Sequence, residues 1–143
     1  MPQLHQETAG TLAMIHTVAG LIPSFETLAQ SYLPYWRRFN MLDESLLRIT
    51  IRDDALSQQT MRRMTGLVWS AVDAGATAIV VTCSSLGPAV DAAQAICPVP
   101  LLRIDQGMAC DAVAKGPRIG VLATLRTTLT PTSDLIERTA AHL

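Results

Sequence analysis

The chain has 143 residues, of which 49% are apolar, 16% charged and only 4% aromatic, and its net charge is −1. At about 100–200 residues per domain this is one domain, or one domain and part of another, and the composition excludes a disordered chain, a collagen and a coiled coil. Eleven basic residues stand against twelve acidic ones without a charge block, which excludes the electrostatic footprint of a nucleic-acid binder.

The elements can be read in chain order. Thr11–His16 predicts a buried strand, and Pro23 to about Leu33 a helix with proline in its first turn and Pro34 at its end. Arg38–Leu42 predicts a weaker strand. Glu44–Ile51 predicts a short helix, although Ile49-Thr50-Ile51 has strand character. Ser57 is a fair N-cap for a long helix that ends near Gly75. Thr77–Thr82 is the strongest strand, short and β-branched. Pro88–Ile96 then predicts a helix, Pro100–Ile104 a strand and Gln106–Lys115 a helix. After the Gly116-Pro117 turn, Arg118–Ala123 predicts another strand, and Thr130-Pro131 opens a last helix to His142. Alternation of β and α at these lengths implies an α/β fold, with a parallel sheet covered by helices on both faces.

No apolar run reaches about 18 residues, so no membrane-spanning helix is expected. Residues 1–10 lack a basic region followed by an apolar stretch and do not read as a signal peptide. Arg37/Arg38 and Arg62/Arg63, the basic doublets, read as solvated helix faces. The three cysteines, Cys83, Cys97 and Cys110, are odd in number and widely spaced. That argues against a disulfide framework and for a reducing, cytoplasmic compartment.

Ligands of open parallel sheets bind beyond the carboxyl ends of the strands. The residues that follow the predicted strands are His16 and Thr17; Asp43, Glu44 and Ser45; Thr82, Cys83, Ser84 and Ser85; Asp105; and Thr124, Thr127 and Thr128. Hydroxyls dominate this collection, with one thiol and few charges. Neither a GxGxxG nor a GxxxxGK[ST] pattern is present, and no CxxC or HExxH occurs, so neither a nucleotide cofactor nor a metal is expected. Cys83 stands at a strand-to-helix junction. There free N–H groups favour a thiolate and, with the Ser84 and Ser85 hydroxyls, can cradle a carboxylate. An inert, buried thiol fits that position equally well, and for Cys97 and Cys110 the core reading is the stronger one. Leu12–Thr17 and Ile119–Thr124 form a weak internal repeat, each a predicted strand ending in Thr and followed by a proline and a helix carrying an acid, Glu26 or Asp134.

Four segments, Ile15–Pro23, Leu42–Leu47, Val81–Pro88 and Arg118–Thr128, together resemble the aspartate/glutamate/hydantoin racemase superfamily. The resemblance runs from Leu12 onward, and Thr-Cys-Ser-Ser and Gly-Val-Leu-Ala-Thr are its most specific parts. It implies a flavodoxin-like half, residues 1–116, and the first strand and helix of a truncated, pseudo-symmetric second half, residues 117–143. It also implies cofactor-independent racemisation of an amino acid or other small carboxylate by an isomerase, with cysteines from the two halves on opposite faces of the α-carbon. Cys83 matches the first of these cysteines. Thr17, Thr82, Ser84, Ser85, Thr124 and Thr127 match positions that line the pocket, and His16 and Asp43 are further candidates. The second cysteine would fall beyond Leu143, and Cys97 and Cys110 do not fit its place. Beside this reading stands a non-catalytic, carboxylate-binding or self-associating module of the same fold. Either would act as a homo-oligomer, in the simplest case a dimer, without nucleic acid or membrane. A thiol redox role is weaker, because no resolving cysteine lies near Cys83 in sequence.

Overall fold

The computed structural model describes residues 9–142. Four strands, β1 (Gly10–His16), β2 (Trp36–Leu42), β3 (Ala78–Val81) and β4 (Leu101–Arg103), form one parallel sheet in the order β2-β1-β3-β4. The helices are α1 (Ile22–Tyr32), α2 (Glu44–Asp53), α3 (Gln58–Asp73), α4 (Gly87–Gln94), α5 (Gln106–Lys115) and α6 (Arg126–Ala141). The α/β fold expected from the alternation is the one observed.

Local signals explain most boundaries. Pro23 sits in the first turn of α1, where its missing N–H costs nothing. The Asp43 side chain accepts from the Ser45 N–H at the start of α2, and Ser57 Oγ accepts from the Thr60 N–H at 3.1 Å to open α3. Gly75, at φ +92°, supplies the backbone that lets the chain leave α3 and enter β3. The strand character of Ile49-Thr50-Ile51 yields to α2, where Thr50 Oγ1 returns its hydrogen to the Leu46 carbonyl at 2.8 Å.

The period of two along β1 divides the core. Ala13 and Ile15, with Ile79 and Val81 of β3, pack on Leu46, Met64, Val68, Ala71, Ala89 and Val90 of α2, α3 and α4. Leu12, Met14 and Ala78 face the other way, against Phe25, Ala29 and Leu33. Right-handed crossovers produce this division. The step from β1 to β2 runs one way along the sheet, the later steps run the other way, and α1 is left on the opposite face from α2, α3 and α4. The strand order therefore reverses between β1 and β3, and their carboxyl ends form the switch point at which such sheets hold ligands.

The C-terminal segment departs from expectation. Arg118–Ala123 forms no strand. Residues 116–125 are irregular, and no partner strand accepts their backbone among the described residues. The run joins neither open edge of the sheet, β2 or β4, so its β propensity goes unused. The internal repeat is thus matched in sequence but not in secondary structure. The last helix begins at Arg126 rather than Thr130, with Pro131 inside it, and packs through Leu135 and Ile136 on Ala109 of α5. Arg37 and Arg38 lie on strand β2, not on a helix. Among the described residues no helix is long and apolar enough to cross a membrane, and no group of His, Cys, Asp and Glu could hold a metal ion.

Candidate active site at the ends of β1 and β3

Cys83 lies two residues beyond the end of β3 and precedes a 3-10 turn, Ser84–Leu86, that runs into α4. Only 9% of it is exposed. Burial dominates and pushes the thiol above its ordinary range. The Thr17 side chain, from the end of β1, and the N–H groups of Leu86 and Ser85 favour the thiolate and oppose that rise without cancelling it, and the charge of Asp105 adds to it. The Leu86 N–H itself closes on the Cys83 carbonyl at 3.2 Å. A turn that lowers the thiol is the expectation from its position, but the cost of burying a thiolate is larger.

His16 is completely buried. Nδ1 lies 2.8 Å from Thr82 Oγ1, and Nε2 lies 2.8 Å from Asn40 Oδ1 on β2. Asn40 in turn donates from Nδ2 to Glu26 Oε1 at 2.8 Å, and Glu26 meets Arg38 at 3.4 Å. The ring also tilts against Phe25, with centroids 5.7 Å apart. Thr82 uses its N–H to close the ladder to the Ile15 carbonyl at 3.0 Å, and its hydroxyl serves His16 and the same carbonyl.

Ser85 Oγ bonds Thr127 Oγ1 at 3.0 Å and Thr128 Oγ1 at 2.8 Å, which fastens the start of α6 to the turn after Cys83. Beside this contact opens a cavity of about 370 Å³, lined by Thr50, Asp54, Ser85, Arg126, Thr127 and Thr130 among others. Arg126 Nε is 3.4 Å from Asp54 Oδ2, and both side chains are largely exposed. A loose pair of this kind leaves the guanidinium able to take another carboxylate.

The predicted residues therefore divide. The structure brings Cys83, Thr17 and the turn through Ser85 together, joins Ser85 to Thr127, and joins Thr82 to His16. Ser84 is half-buried in the same turn. Thr124 is exposed in the irregular segment, because the strand meant to end in it does not form. Asp43 caps α2: Oδ1 accepts from the Ser45 N–H at 3.0 Å and from the Ser45 hydroxyl, and Oδ2 pairs with Arg63 at 2.6 Å. All three cysteines are free. Cys97 packs partly against the core, whereas Cys110 is exposed, against the core reading made for it.

Two groups were missed. Arg126 stood in the hydroxyl-rich stretch but was counted only toward net charge. Arg103, at 4% exposure, was read as part of an apolar strand. It donates to Asp105 from Nε and Nη2 at 3.0 and 2.9 Å and pairs with Asp91 at 2.9 Å. Burial opposes its charge, but Asp105 and Asp91 outweigh burial and keep it protonated. Gly87 permits this, since a Cβ there would collide with the guanidinium.

A parallel α/β sheet with a thiol and hydroxyls gathered at its switch point is the arrangement in which open sheets of this class hold their ligands. Within that class the family can be stated. The chain belongs to the Asp/Glu/hydantoin racemase family, whose model matches residues 15–142, across both the sheet and the C-terminal segment. No individual curated protein matches it.

Proposed function

We propose that the chain acts at the α-carbon of a small carboxylate of the amino-acid type, without a cofactor, and that Cys83 transfers the proton. The arrangement of Thr17 and the Ser85 and Leu86 N–H groups around the sulfur carries this reading, because those donors stabilise a thiolate when it forms. The thiolate takes the α-proton and becomes a thiol. The electron pair left on carbon spreads into the substrate carboxylate, where donors at the Ser84–Leu86 turn and the Arg126 guanidinium offset the growing charge. The Ser85–Thr127 contact forms one wall of the pocket. Thr82 is engaged with His16 and supports the site rather than binding substrate. A dimeric, cytoplasmic protein belongs to the same reading, as does the division into a first unit of 1–116 and a second that opens at 117.

One thiol is sufficient to exchange an α-proton on one face, whereas inversion needs a second acid–base group on the other. The test is incubation with aspartate, glutamate and hydantoins in D2O, with α-deuteration followed by NMR. Exchange in the native chain and its loss in Cys83→Ser are expected. Exchange that survives Cys83→Ser would overturn the assignment.

A further inference from the structure

The His16 ring lies where three parallel strands end. Through Nδ1 it reaches Thr82 at the end of β3, and through Nε2 it reaches Asn40 on β2, while its own backbone is the last residue of β1. The residue after His16 is Thr17, and the residue after Thr82 is Cys83, so the ring joins the two strands one residue before the thiol. We propose that His16 is a positioning residue, a clamp across the strand ends that holds Thr17 and Cys83 in place beside each other. The inference rests on reading Cys83 as the reacting group.

The chemistry of the clamp follows from its partners. The Asn40 amide nitrogen faces Glu26, so its oxygen faces the ring. An oxygen only accepts, so Nε2 carries a proton; the single hydrogen of the Thr82 hydroxyl goes to Nδ1 at 2.8 Å in preference to the Ile15 carbonyl at 3.3 Å, which makes Nδ1 the acceptor. The ladder alone would leave this junction weakly held, because the last backbone bond between β1 and β3 is the one from the Thr82 N–H to the Ile15 carbonyl. Beside it, the His16–Thr82 bond at 2.8 Å is the shorter of the two contacts that the Thr82 hydroxyl makes to β1, and burial removes water as a competing partner. The charged groups around the assembly are Glu26 and Arg38 at the far end of the relay and Asp105, paired with Arg103, on the side of the thiol.

The test uses the thiol's own reactivity in the full chain carrying Cys97→Ser and Cys110→Ser, so that iodoacetamide reports Cys83 alone. The pH profile of alkylation is measured for four proteins: this background, Thr17→Val, His16→Phe and the double variant. With the clamp in place, Thr17→Val moves the midpoint to higher pH. With His16→Phe already present, the same change moves it by less than a third as much. Equal shifts in both backgrounds would overturn the inference. If His16→Phe fails to fold, Thr82→Val and Asn40→Leu cut the two arms of the clamp singly, and either should lessen the Thr17 effect in the same way. Independently, 15N-histidine NMR of the unmutated chain should show His16 as the Nε2–H tautomer, and an Nδ1–H ring would break the relay. Thiol reactivity does not depend on substrate turnover. A failed exchange assay with an intact cycle would count against the proposed reaction and not against the clamp.

Discussion

Two strand ends carry polar residues at equivalent places, Asp43 after β2 and Cys83 after β3, and the molecule treats them in opposite ways. Asp43 has every acceptor occupied by its own helix and by Arg63. Cys83 contributes no side-chain cap to the helix that follows; instead Thr17 and the N–H groups of the turn favour its ionised form. A carboxylate whose oxygens are taken by a cap and an ion pair is architecture. A thiol that caps nothing and has donors set to favour its thiolate is available for chemistry. Position after a strand selects both residues, and only the partners tell them apart.

The largest expected effect sharpens this contrast. General acid–base groups contribute about 10²–10⁴-fold, so Cys83→Ser should lower α-proton exchange by at least about 100-fold with little change in the urea unfolding midpoint. Asp43→Ala should do the reverse. Equal losses of activity in the two variants would erase the distinction. Next in size is the buried ion cluster. Arg103→Met leaves Asp105 and Asp91 without their shared cation, and breaking a buried pair costs about 3–5 kcal/mol, readable by urea unfolding. A cost under about 1 kcal/mol would mean that Arg138, which also meets Asp91 at 2.7 Å, holds the cluster by itself. Arg126→Ala should then lower kcat/KM about tenfold, the loss of one charge-assisted hydrogen bond to a carboxylate, with part of the loss in kcat because the charge it faces grows during the reaction. An unchanged kcat/KM would remove Arg126 from the substrate's surroundings.

Much of this was legible in the sequence because it is local. Short β-branched runs, the Ser57 cap, the prolines of α1 and α4, and Gly75 each act within a few residues. Alternation implies helices on both faces, and the strand order then decides which helix lies on which face. What was not legible needed a partner distant in the chain. Arg118–Ala123 has the composition of a strand, but a strand exists only where it pairs, and these residues join neither edge of the sheet. Arg103 in Leu-Leu-Arg-Ile resembles an ordinary exposed position until Asp91 and Asp105 close around it. The direction of the Cys83 shift depended on depth of burial, which position after a strand does not report. His16 was noticed for its place, but its role is set by Asn40 and Thr82, one on each neighbouring strand.

The smallest effect isolates the Asp43 charge. Burial by itself raises the carboxyl, but the Ser45 hydroxyl and N–H, with Arg63, outweigh it and hold the group below its ordinary value. A carboxylate depressed in the folded chain releases its proton more readily there than when unfolded. Its contribution is therefore complete above the unfolded value, about 3.9, and disappears as pH falls through the folded one. Asp43→Ala should cost about 1 kcal/mol at neutral pH, the usual loss for an N-cap. The gap between native and variant unfolding midpoints should then narrow as pH drops below about 4. A gap that stays constant through that range would mean that packing, and not the ionised cap, is what Asp43 supplies. The strand ends would then differ in chemistry alone and not in how each helix is begun.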